Sequence, residues 1–320
     1  MLTFRALKKT IYSYPGIQVS SCAFCRKNGM SLYHILVPRK ENPKVLNRGS
    51  GASFSPKLAF RKAWSEFVER DVFLSIVKKV GQDTSNGFAA HSDEKLAYQN
   101  SIFELIERDV FLTSWLANKK AKTIRIAKTF RNFSVISKLQ TLKRLGISAK
   151  FGTFGTVNGI EVGVSTIEGP RGISLATAAN HNRKDLLAKL VEEALKQAFS
   201  WHLDKRIQYT EALDASDLVF SHMTMYFNTF PENPLRNLIQ DGAEIFHEKD
   251  GPSIETQDVT SVSRYAQDTQ LFVKYSRSDD LQKLWFGPTV EKKVNFERLK
   301  KRFGSEVTFA DINTLPHPLA

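Results

Sequence analysis

Eleven residues recur in this chain at an offset of 38 with seven identities: Ser65-Glu-Phe-Val-Glu-Arg-Asp-Val-Phe-Leu-Ser75 and Phe103-Glu-Leu-Ile-Glu-Arg-Asp-Val-Phe-Leu-Thr113. The shared core, Glu-x-x-Glu-Arg-Asp, places Glu66, Glu69 and Arg70 on one segment and Glu104, Glu107 and Arg108 on the other. At spacing i, i+3, i+4 these side chains share one helix face. Two such helices facing each other would gather four carboxylates and two guanidiniums. Four carboxylates repel in an interior unless something positive lies between them. Divalent cations bridging a polyphosphate meet that demand. A solenoid would need at least about three units to bury a core, and the chain has two copies. Both copies are embedded in apolar residues, among them Phe67, Val68, Val72 and Phe73, and Leu105, Ile106, Val110 and Phe111. Charges on such largely buried helices need partners.

The remaining composition is that of a water-soluble globular chain, with 42% hydrophobic and 25% charged residues and 23 Phe to fill a core. No apolar run has the length of a membrane span. The N-terminus, Met1-Leu-Thr-Phe-Arg-Ala-Leu-Lys-Lys9, lacks a secretory h-region, so a cytoplasmic protein with no membrane partner is expected. A net charge of +13 favours anionic partners. The basic stretches at Lys119–Arg131 and Arg298–Arg302 read as solvated faces. No nucleic-acid-binding module accompanies them, so no nucleic-acid partner is expected. Cys22 and Cys25 are half of a zinc pattern without the other half, and read as two thiols in a strand and turn.

Local signals outline the elements. Ser55-Pro56 starts a helix that runs to about Val80 and ends at Gly81. Ser92 caps a second, with Asp93 and Glu94 in its first turn, running to about Ala117. Strands are expected at Ala149–Thr156, Ile160–Ile167 and Ile173–Ala179, the first two joined by Asn158-Gly159 as a hairpin. Asn182 caps a third helix whose apolar stripe is Leu187, Leu190, Val191, Ala194 and Ala198. A basic helix follows around Phe296–Phe303. No low-complexity linker interrupts the chain, so residues 1–320 are expected to form one α/β (α+β) domain. The tail, Leu315-Pro-His-Pro-Leu-Ala320, carries prolines that would stiffen it for threading into a cleft.

No P-loop, dinucleotide-binding glycine fingerprint, His-Glu-x-x-His or Gly-x-Ser-x-Gly is present. A nucleotide would therefore be held by carboxylates and metal. Ser85-Asn-Gly-Phe-Ala-Ala90, followed by the second Glu-x-x-Glu-Arg-Asp and Trp115, resembles the central signature of the YcaO family. The first Glu-x-x-Glu-Arg helix after Gly49-Ser-Gly51 is similar to the family's first motif. Lys189 and Glu193 are similar to its third, a basic residue four before a glutamate. The Pro-His-Pro tail resembles the proline-rich terminus of members that modify peptides, and Ser13-Tyr-Pro-Gly-Ile17 resembles their opening strand.

The resemblance implies a YcaO-type ATP-binding fold without a P-loop, with antiparallel and mixed sheets packed against helices. It implies ATP and Mg2+ as cofactors and a cyclodehydratase reaction. A Cys, Ser or Thr side chain of a ribosomally made precursor peptide attacks the preceding carbonyl. The resulting hemiorthoamide oxygen is phosphorylated, and elimination leaves a thiazoline or oxazoline. Phosphorylation turns a poor leaving group into a good one, and metal neutralises the transferred charge. Carried over by position, Glu66, Glu69, Glu104 and Glu107 would bind magnesium. Arg108 would contact phosphate, and Ser85, Ser92, Lys189 and Glu193 would hold the nucleotide. Ala320, presented by Pro316 and Pro318, would act in proton transfer.

The chain departs from the family at Leu96, where a further metal-binding glutamate is usual, and at Ser92, where Asn is usual. It also departs at Lys189, which lacks the arginine fork. At 320 residues there is no room for a fused peptide-binding domain, so a leader-binding partner protein is expected. The family often forms homodimers. The alternatives within this frame are thioamide or amidine formation, or a non-catalytic nucleotide-binding scaffold subunit.

Overall fold

The computed structural model describes residues 2–23, 26, 31–38, 46–80, 84–126, 133–202, 208–213, 218–304 and 306–319. In chain order it begins with α1 (Phe4–Tyr12), β1 (Gln18–Ser21), β2 (Ser31–Pro38), β3 (Leu46–Ser53), α2 (Pro56–Val80), β4 (Phe88–His91) and α3 (Glu94–Leu116). Then come β5 (Ala121–Thr123), α4 (Phe133–Arg144), β6 (Ser148–Val157), β7 (Ile160–Gly169), β8 (Gly172–Asn180) and α5 (Arg183–Gln197). The remainder is α6 (Leu218–Thr224), β9 (Ile239–Gln240), β10 (Phe246–Glu248), β11 (Glu255–Asp258), α7 (Arg264–Thr269), β12 (Phe272–Arg277) and α8 (Phe296–Phe303). The expected mixture of antiparallel and mixed sheets with helices is present. The chain divides into two compact units, Met1–Leu105 with Ile254–Arg277, and Ile106–Ser253 with Ser278–Ala320.

The first unit holds two antiparallel three-stranded sheets, ordered β1-β2-β3 and β11-β12-β4. Ser55 caps α2 as expected, its hydroxyl accepting from the Leu58 N–H at 3.4 Å. The helix lies directly on β3. A Cβ added at Gly49 would stand 2.1 Å from the Ala63 carbonyl oxygen, and one at Gly51 would stand 2.2 Å from that of Ala59. Only glycine allows this approach. Beneath it, Phe60, Trp64, Phe67, Val68 and Val72 of α2 join Ile11, Ile35, Phe88, Val273 and Tyr275 in one apolar core. The Trp64 indole N–H donates to Thr269 Oγ1 at 2.9 Å, so its polar atom is satisfied inside that core.

The second unit is built on a six-stranded sheet ordered β8-β7-β6-β5-β9, with β10 parallel to β6. The three long strands form the expected antiparallel meander. Asn158 and Gly159 both have positive φ, 49° and 73°, as the tight hairpin connection requires. Asn182 caps α5 through the Lys184 N–H at 2.8 Å, and the stripe Leu187, Leu190, Val191, Ala194 and Ala198 is buried.

Four expectations change. Asp93, not Ser92, caps α3, its carboxylate accepting from the Leu96 N–H at 3.0 Å. Helix starts favour the residue just before the first helical one, and Asp serves as well as Ser. Residues 13–17 are the turn after α1, and strand begins only at Gln18, because Pro15-Gly16 is turn chemistry. The late helix is basic but not simply solvated, since Arg298 and Arg302 are buried. Cys22 is disulfide-bonded rather than a thiol, and Cys25 lies outside the described residues. So does Gly81, the expected end of α2. At the other end of α3 the chain stops as the Asn at position 118 allows: Asn118 has φ 53°, and the Lys119 N–H reaches back to the Ser114 carbonyl at 2.8 Å.

Candidate active site

In the first unit, α2 and the first turns of α3 bring Glu66, Glu69 and Glu104 into electrostatic contact. Glu66 is held from two sides. Its Oε2 accepts from both the backbone N–H and the hydroxyl of Ser50 at 3.0 Å, and its Oε1 lies 2.8 Å from Arg70. The short Gly49-Ser50-Gly51 segment that lets α2 approach β3 thus also supplies donors to the carboxylate. Glu69 is less well served. Burial, then Glu104, then Glu66, push its carboxyl well above the usual range, against a smaller opposing effect of Arg70 and of the Ala90 N–H. A carboxyl facing two others is where a cation would bind most favourably.

Ser85-Asn86-Gly87 shapes the turn into β4. The Ser85 carbonyl accepts from the Phe88 N–H at 3.1 Å. Gly87 has φ 85°, and a Cβ there would stand 2.3 Å from the Ser276 carbonyl oxygen, so this position admits glycine alone. Among the described residues the buried Asn86 Oδ1 has no hydrogen-bond partner. Ser92 lines an open cleft of about 690 Å³ at the start of α3 together with Asp93, Glu94, Lys95, Tyr98, Phe272 and Lys274. Leu96, where the family pattern has a glutamate, is 42% exposed.

In the second unit, Glu107 is buried and its Oε1 accepts a 2.6 Å hydrogen bond from the Thr177 hydroxyl. Arg108 approaches the same pair, with Nη1 3.4 Å from Thr177 Oγ1 and 3.7 Å from Glu107 Oε1. Among the described residues its buried Nε has no hydrogen-bond partner, so part of the guanidinium fork is unused there. Thr177 gave no signal in the sequence, because its partner lies 70 positions away.

Asp109, the last residue of the second motif, is fully buried and serves the fold. Its carboxylate takes bidentate hydrogen bonds from Arg298 at 2.8–3.1 Å, one from Arg302 at 2.6 Å and one from the Gln282 N–H at 2.9 Å. Glu248 completes the cluster with Arg298 at 2.6 Å and Arg302 at 3.1 Å. Arg302 also donates to the Asp109 carbonyl and to Thr113. Two carboxylates and two guanidiniums neutralise one another, which is the condition for burying them. In the first copy the equivalent Asp71 instead accepts from the Ser263 hydroxyl at 2.6 Å.

Lys189 and Glu193 sit half-buried on α5, and Glu193 pairs with Lys196 at 3.6 Å. The tail is anchored. Trp115 donates its indole N–H to the Leu315 carbonyl at 3.1 Å, and the Tyr226 hydroxyl donates to that of Pro316 at 2.6 Å. Pro316, His317 and Leu319 are buried, and Pro318 is half-buried. Ala320 lies outside the described residues.

A family model described as YcaO cyclodehydratase, ATP- and Mg2+-binding, matches residues 77–311. The chain belongs to the YcaO family. The match takes in the second motif, while Glu66, Glu69 and the proline tail fall outside it. No curated protein sequence matches the chain. Among solved structures, it is similar to a heterocyclase in complex with substrate and cofactor, with a TM-score of 0.68, 12% identity, and coverage of 99% of this chain and 57% of that one. The chain thus spans little more than half the length of that heterocyclase. It is also similar to YcaO from Methanopyrus kandleri bound with AMPPCP and Mg2+, with a TM-score of 0.60, 12% identity, and coverage of 88% and 90%. A third likeness is to the E. coli microcin synthetase McbBCD complex, with a TM-score of 0.55, 13% identity, and coverage of 84% and 89%. At such identities these likenesses speak to the fold, which is that of YcaO structures.

ATP and Mg2+ are the cofactors of this YcaO family model, and the donor set fits them. Among the described residues, no three His, Cys, Asp or Glu side chains converge to enclose a cation. Magnesium commonly takes one or two protein carboxylates and completes its shell with water and substrate phosphates. A line of glutamates in which one carboxyl is raised by its neighbours suits a metal that arrives with a nucleotide. Among the described residues, no helix is long and apolar enough to cross a membrane.

Proposed function

We propose that this YcaO protein is an ATP-dependent peptide backbone cyclodehydratase that forms thiazoline or oxazoline rings from Cys, Ser or Thr of a ribosomally made precursor peptide. The carrying observation is the Glu66–Glu69–Glu104 set, in which burial and two neighbouring carboxylates hold the Glu69 carboxyl above its usual range. Glu66, Glu69, Glu104 and Glu107 would hold Mg2+. Arg108, whose Nε has no partner among the described residues, would contact phosphate. Lys189, Glu193, Ser85 and Ser92 would hold the nucleotide. ATP supplies the phosphoryl group that makes the amide oxygen a leaving group, and Mg2+ offsets the charge that develops on it. The chain's own residues would position the phosphates, while Pro316 and Pro318 would present Ala320 for the proton transfers of attack and elimination.

Substrate delivery calls for a leader-binding partner protein. Support comes from a neighbour described as the E. coli microcin synthetase McbBCD complex with pro-MccB17 bound, a multiprotein assembly holding a propeptide. A net charge of +13 suits an acidic leader or partner. The test is reconstitution of the chain with a candidate partner, precursor peptide, ATP and Mg2+, followed by mass spectrometry. Loss of water from the peptide that depends on ATP and on Glu104 supports the reading. ATP binding without any change in peptide mass would favour the scaffold reading, for which exposed Leu96 in place of a ligand is the specific observation.

A further inference from the structure

The second unit contains a pair of buried imidazoles, His222 on α6 and His317 in the tail, both with no exposed surface. Their hydrogen bonds determine which nitrogen carries each proton. His317 Nε2 lies 2.6 Å from the Trp285 carbonyl oxygen. A carbonyl only accepts, so Nε2 bears the proton, and in a neutral ring Nδ1 is bare. Nδ1 accordingly accepts from the Leu319 N–H at 3.3 Å. The same Nδ1 faces His222 Nε2 at 3.3 Å, so His222 Nε2 must be the donor. His222 Nδ1, bare in turn, accepts from the Gly287 N–H at 3.2 Å. The result is one directional chain: Gly287 N–H to His222, His222 to His317, and His317 to the Trp285 carbonyl.

We propose that His222 is a positioning residue for the C-terminal tail: by donating from Nε2 to the bare Nδ1 of His317 it clamps the ring whose tautomer the Trp285 carbonyl sets, and thereby fixes the course of Pro316–Leu319. The surroundings fit neutral rings. Phe286 and Trp285 pack edge-on against His222 and His317 at ring-centroid distances of 5.5 and 4.7 Å. The charges felt by the pair are cationic, from Lys293 on both rings and from Arg108 on His317. Burial lowers both imidazoles, His222 to about 4 and His317 well below its ordinary value. An apolar contact would hold a merely structural tail at less desolvation cost, whereas a relay of defined direction fixes the tail's orientation. The docking stands on geometry alone. Its consequence for turnover rests on the reading that the tail serves the cyclodehydratase reaction.

The test uses the full chain, with 15N-detected imidazole NMR for the tautomers and hydrogen–deuterium exchange for the backbone of residues 313–319. In the wild type at neutral pH, His317 should show a protonated Nε2 and a bare Nδ1. A charged ring, or a proton on Nδ1, would overturn the proposal without any variant. In His222→Leu the His317 ring keeps its bond to Trp285 but loses its second anchor, so the acceptor of the Leu319 N–H is no longer held in place, and exchange at the Leu319 amide should quicken by about tenfold, the factor for about 1.4 kcal/mol. His222→Gln, which keeps an N–H donor near the position of Nε2, should restore slow exchange. Equal protection in the Leu and Gln variants, or protection in the Leu variant matching wild type, would overturn it. None of these readouts uses turnover. An inactive wild type would therefore count against the cyclodehydratase reading and leave the docking result intact.

Discussion

Glu69 stands where an ionised carboxylate is disfavoured, partly buried and facing Glu104 and Glu66. Removing its charge should relieve that repulsion. Glu69→Gln is expected to raise the melting temperature of the metal-free protein by roughly 2–4 °C, the shift for about 1 kcal/mol in a chain of this size, while weakening binding of Mg2+ with ATP. Scanning calorimetry in chelator beside nucleotide titration checks both. A fall in melting temperature would show that the carboxylate is structural. Asp109 predicts the opposite. Its two arginine partners would be left buried and uncompensated, so Asp109→Ala should destabilise the second unit by about 3–5 kcal/mol in urea unfolding. A loss below about 1 kcal/mol, the scale of an exposed ion pair, would contradict the buried cluster. The sequence made the repeated glutamates visible because the two in each copy are three residues apart. It did not separate Asp109 from the site residues beside it, because its partners lie 189 and 193 positions on. Thr177 was hidden for the same reason.

At the scale of elements, the legible features were those whose chemistry is local. Ser55-Pro56 and Asn182 each determine a boundary through a hydrogen bond within three residues, and Asn158-Gly159 does so through positive φ at both positions, and each element begins or turns there. Where two adjacent residues could do the same work, as at Ser92-Asp93, the sequence did not choose between them. At 13–17 the family resemblance points to strand, but Pro15-Gly16 is turn chemistry and the turn prevails. The burial of α8 was illegible. Its basic face counts as solvated until Asp109 and Glu248 are known to face it.

The contact between α6 and the tail carries its own pH dependence. His222 in the folded chain has its pKa lowered from 6.5 to about 4 by burial. Between those values the unfolded chain binds a proton that the folded chain refuses, so stability falls as pH drops from 6.5 towards 4. One such histidine contributes a slope of about 1.4 kcal/mol per pH unit. His222→Gln should show a correspondingly shallower loss of stability over that range. Identical slopes in urea unfolding would contradict neutral burial of this ring.

For the molecule as a whole, two cysteines are too few for a disulfide scaffold, and the net charge of +13 points to anionic partners. Composition could not show how carboxylates on two helices are supplied with neighbours, because that depends on Ser50, Ala90 and Thr177 meeting them in three dimensions. The family match and the fold place the chain among YcaO proteins, and the central claim is that its repeated glutamates bind ATP through Mg2+. The most direct test is calorimetric titration of ATP with Mg2+ into the wild-type chain, beside a Glu104→Ala, Glu107→Ala double variant. The account predicts micromolar binding in the wild type that requires Mg2+ and is lost in the variant. Binding that survives in the variant, or that is indifferent to Mg2+, would contradict it.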